Sequence, residues 1–177
     1  SKLFRFLAFE ILLKEKSLKE KRIFFEEFKN ISDYSSINNE VEILLKNQLQ
    51  LSPGKSFPSI KGYDLNGSIK DISTISDKKI IFFWSYDQNA HFNSIYQKIN
   101  SLENKYLSYK LISLNINDDF DKWKSNYKTT KNVTELQTND FEYMSKKLIL
   151  DNLNKVFIVD ENNIIQAIGS INDFIRN

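Results

Sequence analysis

One short run, KKIIFFWS at residues 78–85, limits most strongly what this chain can fold into. Its apolar residues follow one another without the alternation that marks a strand with one face in water. A continuous run of this length, rich in β-forming residues, is typical of a strand buried on both faces of a sheet. Such burial requires a layer of structure on each side of the sheet, which favours an α/β architecture.

Segments on either side of this run extend the sheet. Residues 109–117, YKLISLNIN, have the pattern of a second central strand, and residues 89–106 between the two strands carry apolar side chains at helical spacing. This β-α-β unit predicts a parallel pair joined by a right-handed crossover. Residues 57–73 predict a β-hairpin that turns at Asn66-Gly67, because this dipeptide suits two-residue hairpin turns.

The remaining segments complete a mixed sheet. Residues 118–129 predict a helix that begins on acids, which the positive end of the helix dipole stabilises, and residues 139–150 predict another. Residues 155–171 predict a second hairpin with its turn at residues 161–163. The order is hairpin, strand, helix, strand, helix, helix, hairpin, and it predicts a three-layer α/β/α sandwich with a mixed central sheet.

The first 50 residues have a different pattern. They predict three helices, the first within residues 3–16 and the second starting at an S-x-x-E capping box. Pro53 and Gly54 then interrupt the helical pattern. We therefore expect two parts, an all-α segment at residues 1–50 that ends a larger region and an α/β domain at residues 51–177.

Two features of the composition exclude whole classes of function. The chain contains no cysteine, which excludes disulfides, thiolate nucleophiles, thiolate metal sites and dithiol redox chemistry carried by the chain itself. The net charge is +2, and the one local basic excess, KEKSLKEKR at residues 14–22, alternates with acids as a solvated helix face does. No nucleic-acid partner is therefore predicted.

The sequence also predicts no cofactor, metal ion or membrane span. Signatures of the G-x-G-x-x-G and G-x-S-x-G types are absent, and the single histidine, His91, has no His or Cys co-ligands. The most apolar helix candidate, residues 3–13, is about half the length of a membrane span. One acidic cluster could supply oxygen ligands to a cation or stabilise the start of a helix, and we favour the second interpretation: Asp118, Asp119, Asp121 and Asp160.

The order of the predicted elements and four pieces of sequence resemble the thioredoxin-like superfamily, in its TlpA-like and AhpC/TSA-like branch. The pieces are PGKSFPSIKGYDLNGSIKDIS, KKIIFFWS, LISLNIND with the following DKWKSNY, and LNKVFIVDENNII. The resemblance covers residues 51–177 and implies a thioredoxin fold. It also implies a bacterial extracytoplasmic location, often with a membrane tether on the full-length protein.

The resemblance further implies a redox site that this chain has lost. The W-C-x-x-C motif of the family falls on residues 87–91, with Gln88 at the attacking cysteine and His91 at the resolving cysteine. Gln88 cannot ionise, so it cannot replace a thiolate. The cis-proline of the family falls on Asn154, where we expect a trans peptide bond because a non-proline cis bond costs about 2.5–4 kcal/mol. The degenerate positions are Asp87, Gln88, Asn89, Ala90, His91 and Asn154.

Several of these residues have a structural interpretation beside a functional one. Asp87 and Gln88 can cap the helix that follows them. His91 can form a local hydrogen bond on the first helical turn instead of binding or catalysing. Trp84 can pack in the core, whereas Tyr86 is the better candidate for contact with a partner.

Two functions remain open at this point. An enzyme could use Asp87 and His91 for non-thiol chemistry, which predicts a perturbed pKa of His91 and a small-molecule pocket beside it. The other function is binding by a redox-inactive module, which a family label alone would group with the thiol-disulfide oxidoreductases. We favour this function, in which a protein or peptide binds in the former active-site groove. The groove residues are Trp84, Tyr86, Gln88, His91, Leu153 and Asn154.

Overall fold

The computed structural model divides the chain into two compact units, residues 1–50 and 51–177, each with its own apolar core. The first predicted helix, within residues 3–16, lies largely outside the described residues. The residues that the structure describes are 6–7, 10–11, 18–31, 35–116, 119–126, 132–138 and 140–175.

Two helices can be delimited among the described residues of the first unit, α1 at Leu18–Ile31 and α2 at Ser35–Gln50. Lys21 Nζ on α1 donates a hydrogen bond to Gln48 Oε1 on α2 at 3.0 Å. The helices also pack through apolar side chains spaced three or four residues apart, so that they lie on one side of each helix. These side chains are Phe25, Phe28, Val41 and Leu45.

Among the described residues of the second unit, seven strands form one sheet. The strands are β1 at Lys61–Tyr63, β2 at Ile69–Asp71, β3 at Lys79–Trp84, β4 at Lys110–Asn115, β5 at Val133–Thr138, β6 at Lys155–Val159 and β7 at Ile165–Ser170. The α-helices are α3 at Asn89–Lys105, α4 at Phe120–Asn126, α5 at Phe141–Leu148 and α6 at Ile171–Ile175.

The sheet has the strand order β2-β1-β5-β4-β3-β6-β7. Strands β3, β4 and β5 are parallel, whereas β6 is antiparallel to β3 and β1 is antiparallel to β5. The β1–β2 hairpin turns at the predicted position, but through the five-residue loop 64–68 rather than a two-residue turn: Tyr63 pairs with Ile69, and Gly67 adopts a φ of 77° with its N–H donating to the Asp64 carbonyl at 2.8 Å.

Strand β3 is buried on both faces, as its composition predicts. Ile81 and Phe83 point into a core that includes Met144 and Leu148 of α5. The side chains that alternate with them along β3 point into a second core with α3, α4 and α6. Helices therefore cover both faces of the sheet, and the predicted three-layer sandwich with a mixed sheet is confirmed. The side chains of this second face are Ile80, Phe82 and Trp84.

Among the strands and α-helices, two were not predicted from the sequence, β5 and α6. Strand β5 reads VTELQT, and the sequence offers only Leu136 as an obvious apolar residue at its centre. Its neighbours Glu135 and Gln137 are nevertheless buried, because β5 pairs with β4 on one side and β1 on the other. Helix α6 has five residues, which is too short for helical periodicity to appear.

Candidate functional site

The carboxyl end of β3 leads into α3 through a tight turn at residues 85–88. Ser85 organises this turn, because its Oγ accepts from the Asp87 N–H and its carbonyl accepts from the Gln88 N–H, both at 3.2 Å. Gln88 is the N-cap residue of α3, and its carbonyl accepts from the Phe92 N–H at 2.9 Å. The Gln88 side chain makes no capping hydrogen bond and is exposed.

Asp87 does not cap α3, contrary to the sequence-based expectation. Its carboxylate forms an ion pair with Lys122 on α4. The same ammonium group lies 5.7 Å from the centroid of the Tyr86 ring, within the range of a cation–π contact. Asp87 therefore joins the turn to α4. Lys122 was not predicted as a site residue, because no local pattern links residues so far apart in sequence.

Two residues predicted to contact a partner are buried instead. Trp84 has no exposed surface, and its Nε1–H donates to the Ser113 hydroxyl at 2.7 Å. Leu153 is 8% exposed and packs in the core on the α5 side of the sheet. For Trp84 the physical reason is that β3 is covered on both faces up to its last residue. This burial removes Trp84 and Leu153 from the predicted binding surface.

Asn154 lies at the same edge of the sheet as this turn. The antiparallel register pairs Phe82 with Val156, so the start of β6 lies beside the end of β3. The peptide bond before Asn154 is trans, as expected for a non-proline residue. Its N–H donates to Asn152 Oδ1 at 3.0 Å, and its carbonyl accepts from the Ile171 N–H at 2.8 Å. Both backbone groups of Asn154 are therefore engaged within the chain.

His91 sits on the first turn of α3 and points back at β3. Its Nε2 lies 3.0 Å from the Phe83 carbonyl oxygen. A carbonyl only accepts hydrogen bonds, so Nε2 carries the proton in this contact. Burial lowers the pKa of His91 from its ordinary value, the hydrogen bond to Phe83 opposes this effect, and the charge of Lys98 adds to it. The ring is therefore mostly neutral at pH 7.

We predict that His91 titrates with a lower pKa in the folded chain than in the unfolded chain. Its contribution to stability is therefore present above the unfolded-state pKa and is lost as the pH falls through the folded-state pKa. Because His91 is the only histidine, its imidazole signals can be followed directly by NMR with and without urea. A folded-state pKa equal to or above the unfolded-state pKa contradicts the prediction.

Of the two features expected for the enzyme that the sequence left open, the structure shows one, the lowered pKa of His91. The Asp87 carboxylate pairs with Lys122 and the His91 ring with the Phe83 carbonyl, so the two groups are held by different partners. Two cavities lined by described residues, of about 260 and 430 Å³, lie elsewhere in the second unit. Within the described residues, no group of three or more His, Cys, Asp or Glu side chains could hold a metal ion.

The acidic cluster predicted after β4 has a structural role. Asp119 Oδ1 accepts from the N–H groups of Asp121 and Lys122 at 3.0 and 3.2 Å, which satisfies free donors at the start of α4. Asp160 accepts from the N–H groups of Asn162 and Ile164 in the β6–β7 turn. Asp118 lies outside the described residues, as does the side chain of Asn89.

The strand order and the two helical layers of residues 51–177 define a thioredoxin-like fold. No cysteine stands at the positions that the resemblance assigns to the redox motif, since the chain has none. Within the part of the chain that the structure describes, no helix has both the length and the apolar character needed to cross a membrane.

Comparison with solved structures supports this fold. A thioredoxin-like protein from Bacteroides caccae is 11% identical, with a TM-score of 0.67, over 90% of this chain and 61% of that one. The thioredoxin domain of a thiol-disulfide oxidoreductase from Bacteroides vulgatus is 17% identical, with a TM-score of 0.50, over 71% of this chain and 94% of that one. A thiol peroxidase from Chromobacterium violaceum is 16% identical, with a TM-score of 0.55, over 67% of this chain and 76% of that one.

The sequence comparisons add no family beyond the fold. No protein-family model matches the chain, and no curated protein matches it. At the low identities of the three solved structures, the likeness establishes the fold alone.

Proposed function

We propose that this chain is a redox-inactive thioredoxin-like module that binds a protein or peptide where β3 ends. The observation that carries the proposal is a thioredoxin-like fold whose two cysteine positions hold Gln88 and His91. Around them lies a set of exposed or half-buried side chains, here called the β3-end surface: Tyr86, Asp87, Gln88, His91, Lys122 and Asn154.

The chemistry of these residues supports binding rather than electron transfer. Gln88 is neither ionisable nor a good nucleophile, and the His91 ring is held against the Phe83 carbonyl. Tyr86 combines an aromatic face with a hydroxyl, a combination that is enriched at protein interfaces. Asp87 and Lys122 form an exposed ion pair beside it, which can rearrange toward a charged partner at small cost.

The backbone of Asn154 limits how a partner can bind. Its N–H and carbonyl already form hydrogen bonds within the chain, so a peptide backbone would have to displace or share these bonds in order to pair with Asn154. We therefore expect recognition at this residue to rely on side chains. Tyr86 is the central aromatic residue of the β3-end surface and the first candidate for a residue that dominates binding.

We predict that the chain reduces insulin disulfides no faster than a buffer blank, because it has no thiol. The matched control is the double variant Gln88→Cys with His91→Cys, which restores two thiols at the positions assigned to the motif. We expect the control to form an intramolecular disulfide on oxidation, detected as the loss of two titratable thiols. Clear turnover by the unmodified chain would overturn the redox-inactive assignment.

Peptides selected on the chain from a displayed random library are expected to require Tyr86. Tyr86→Ala should weaken their binding at least tenfold, which corresponds to about 1.4 kcal/mol, and Asn154→Ala should weaken it less. Titration calorimetry measures both effects. The control is Leu107→Ala, since Leu107 is 85% exposed but lies just before β4, at the opposite edge of the sheet. Equal binding by wild type and Tyr86→Ala, or equal loss in the control, counts against the proposed surface.

We further propose that the full-length protein is extracytoplasmic, on the basis of the family resemblance. Residues 1–50 would then belong to a helical region that leads into the binding module at residues 51–177. Immunodetection in fractionated cells of the source organism tests the location. Detection only in the cytoplasmic fraction contradicts it.

A further inference from the structure

A buried acid lies below the β3-end surface, on the α3 side of the sheet. Glu135 on β5 is 7% exposed, and its Cα pairs with that of Ser113 on the parallel strand β4. The Tyr96 hydroxyl on α3 donates to Glu135 Oε1 at 3.3 Å. The second oxygen, Oε2, is buried and has no hydrogen-bond partner among the described residues.

The Ser113 hydroxyl connects this acid to the end of β3. Its oxygen accepts from the Trp84 indole N–H at 2.7 Å, and Ser113 lies opposite Glu135 in the β4–β5 register, where its hydroxyl acts to lower the pKa of Glu135. A hydroxyl that accepts from an indole has its own proton available for the carboxyl group. Ser113 is therefore a neighbour of both Glu135 and the indole at the end of β3.

A row of aromatic rings connects the same acid to the surface. The Tyr96 ring lies 5.4 Å from the Phe92 ring, and Phe92 lies 5.0 Å from Tyr86, measured between ring centroids. Tyr96 also packs against Trp84 at 5.9 Å. These contacts form a continuous packed path from Glu135 to Tyr86 on the β3-end surface.

The surroundings of Glu135 favour its neutral form. Burial raises the pKa of Glu135 to about 7, and the hydrogen bonds from Ser113 and Tyr96 oppose this effect only in part. Those two hydroxyls, one from β4 and one from α3, are the groups that act on it. No Lys, Arg or His side chain of the described residues contributes a charge interaction. Both protonation states of Glu135 are therefore populated near neutral pH.

We infer that Glu135 is a buried proton switch, whose ionisation changes the packing of Tyr96 and Trp84 and thereby the position of Tyr86. The Tyr96–Glu135 contact of 3.3 Å is long for a bond between two oxygens. A charged carboxylate accepts shorter bonds, of about 2.5–2.7 Å, so ionisation pulls Tyr96 toward β5. The unpartnered Oε2 adds to the cost of the charged state in the present packing. This inference does not depend on the proposed function.

The test follows the indole N–H signals of the full chain by NMR from pH 5.5 to 8.5. The chain has two tryptophans, so Trp123→Phe assigns the remaining signal to Trp84. We expect the Trp84 signal and the Tyr86 ring signals to shift with a common midpoint near pH 7. Glu135→Gln, which is neutral at every pH, should keep both signals at their low-pH positions throughout.

Two further measurements separate this switch from other causes. The variant His91→Gln should leave the midpoint unchanged. If the pH-dependent shift disappears in that variant, the shift belongs to His91 and the inference is overturned. The ¹³Cδ signal of Glu135 in the unmodified chain should titrate near pH 7, which does not depend on whether Glu135→Gln folds. A Glu135 midpoint near its ordinary value of 4.5, or Trp84 and Tyr86 signals that do not follow it, also overturns the inference.

Discussion

Replacing Trp84 with alanine is expected to lower the free energy of unfolding by about 3–5 kcal/mol, the usual cost of truncating a fully buried tryptophan. The indole fills the core between β3 and α3 and packs against Phe92 at 5.0 Å and Tyr96 at 5.9 Å. Its removal also leaves the Ser113 hydroxyl without its donor. Urea unfolding, with comparison of the midpoint and the slope, measures the loss.

The matched control for this variant is Gln88→Ala, four residues further along the chain. Gln88 is exposed and makes no capping hydrogen bond, so its truncation should change stability by no more than about 0.5 kcal/mol. A loss below about 1 kcal/mol for Trp84→Ala would contradict the burial of the indole. It would also return Trp84 to the set of residues that could contact a partner.

The second large effect is a fall in stability as the pH rises from about 4.5 to about 7. The folded chain holds the proton of Glu135 more tightly than the unfolded chain, because burial raises the pKa from 4.5 to about 7. Stability contributed by the neutral acid is therefore complete below pH 4.5 and is lost as the pH rises to about 7. At about 1.4 kcal/mol for each pKa unit, the expected loss is about 3–4 kcal/mol.

The variant Glu135→Gln isolates this effect from the other titrating groups. Its stability should match that of the wild type at pH 4 and exceed it at pH 8 by about 3–4 kcal/mol, because the amide never acquires a charge. Urea unfolding of both chains at a series of pH values gives the difference curve. A difference that does not change between pH 4 and pH 8 would show that Glu135 has an ordinary pKa.

The central strands and the layers were predictable because their signal is local. A continuous apolar run such as that of β3 requires other elements to pack on both faces of the strand. Its alternate residues do enter two different cores. The hairpin turn at Asn66-Gly67 was predictable for the same reason, since the conformation depends on the residues in the turn itself. Strand β5 was missed because its burial comes from neighbouring strands and not from its own composition.

The site was predicted only in part. The turn that ends β3 and starts α3 lies where the sequence places it, and the Tyr86 side chain is accessible there. Trp84 and Leu153 were assigned to the partner-binding surface but are buried. The sequence could not distinguish a tryptophan at the end of a covered strand from one at an exposed strand end, because that depends on how far α3 extends over the sheet.

The sequence by itself determined the periodicity of the strands and helices and, through the absence of cysteine, the absence of thiol chemistry. Both are properties of residue types and their spacing. Only the tertiary structure decided which polar groups meet. The Asp87–Lys122 pair joins residues on different elements, and Glu135 becomes a buried acid because β4 and α3 enclose it. Charge and burial depend on distances across the fold, and no local pattern along the chain encodes them.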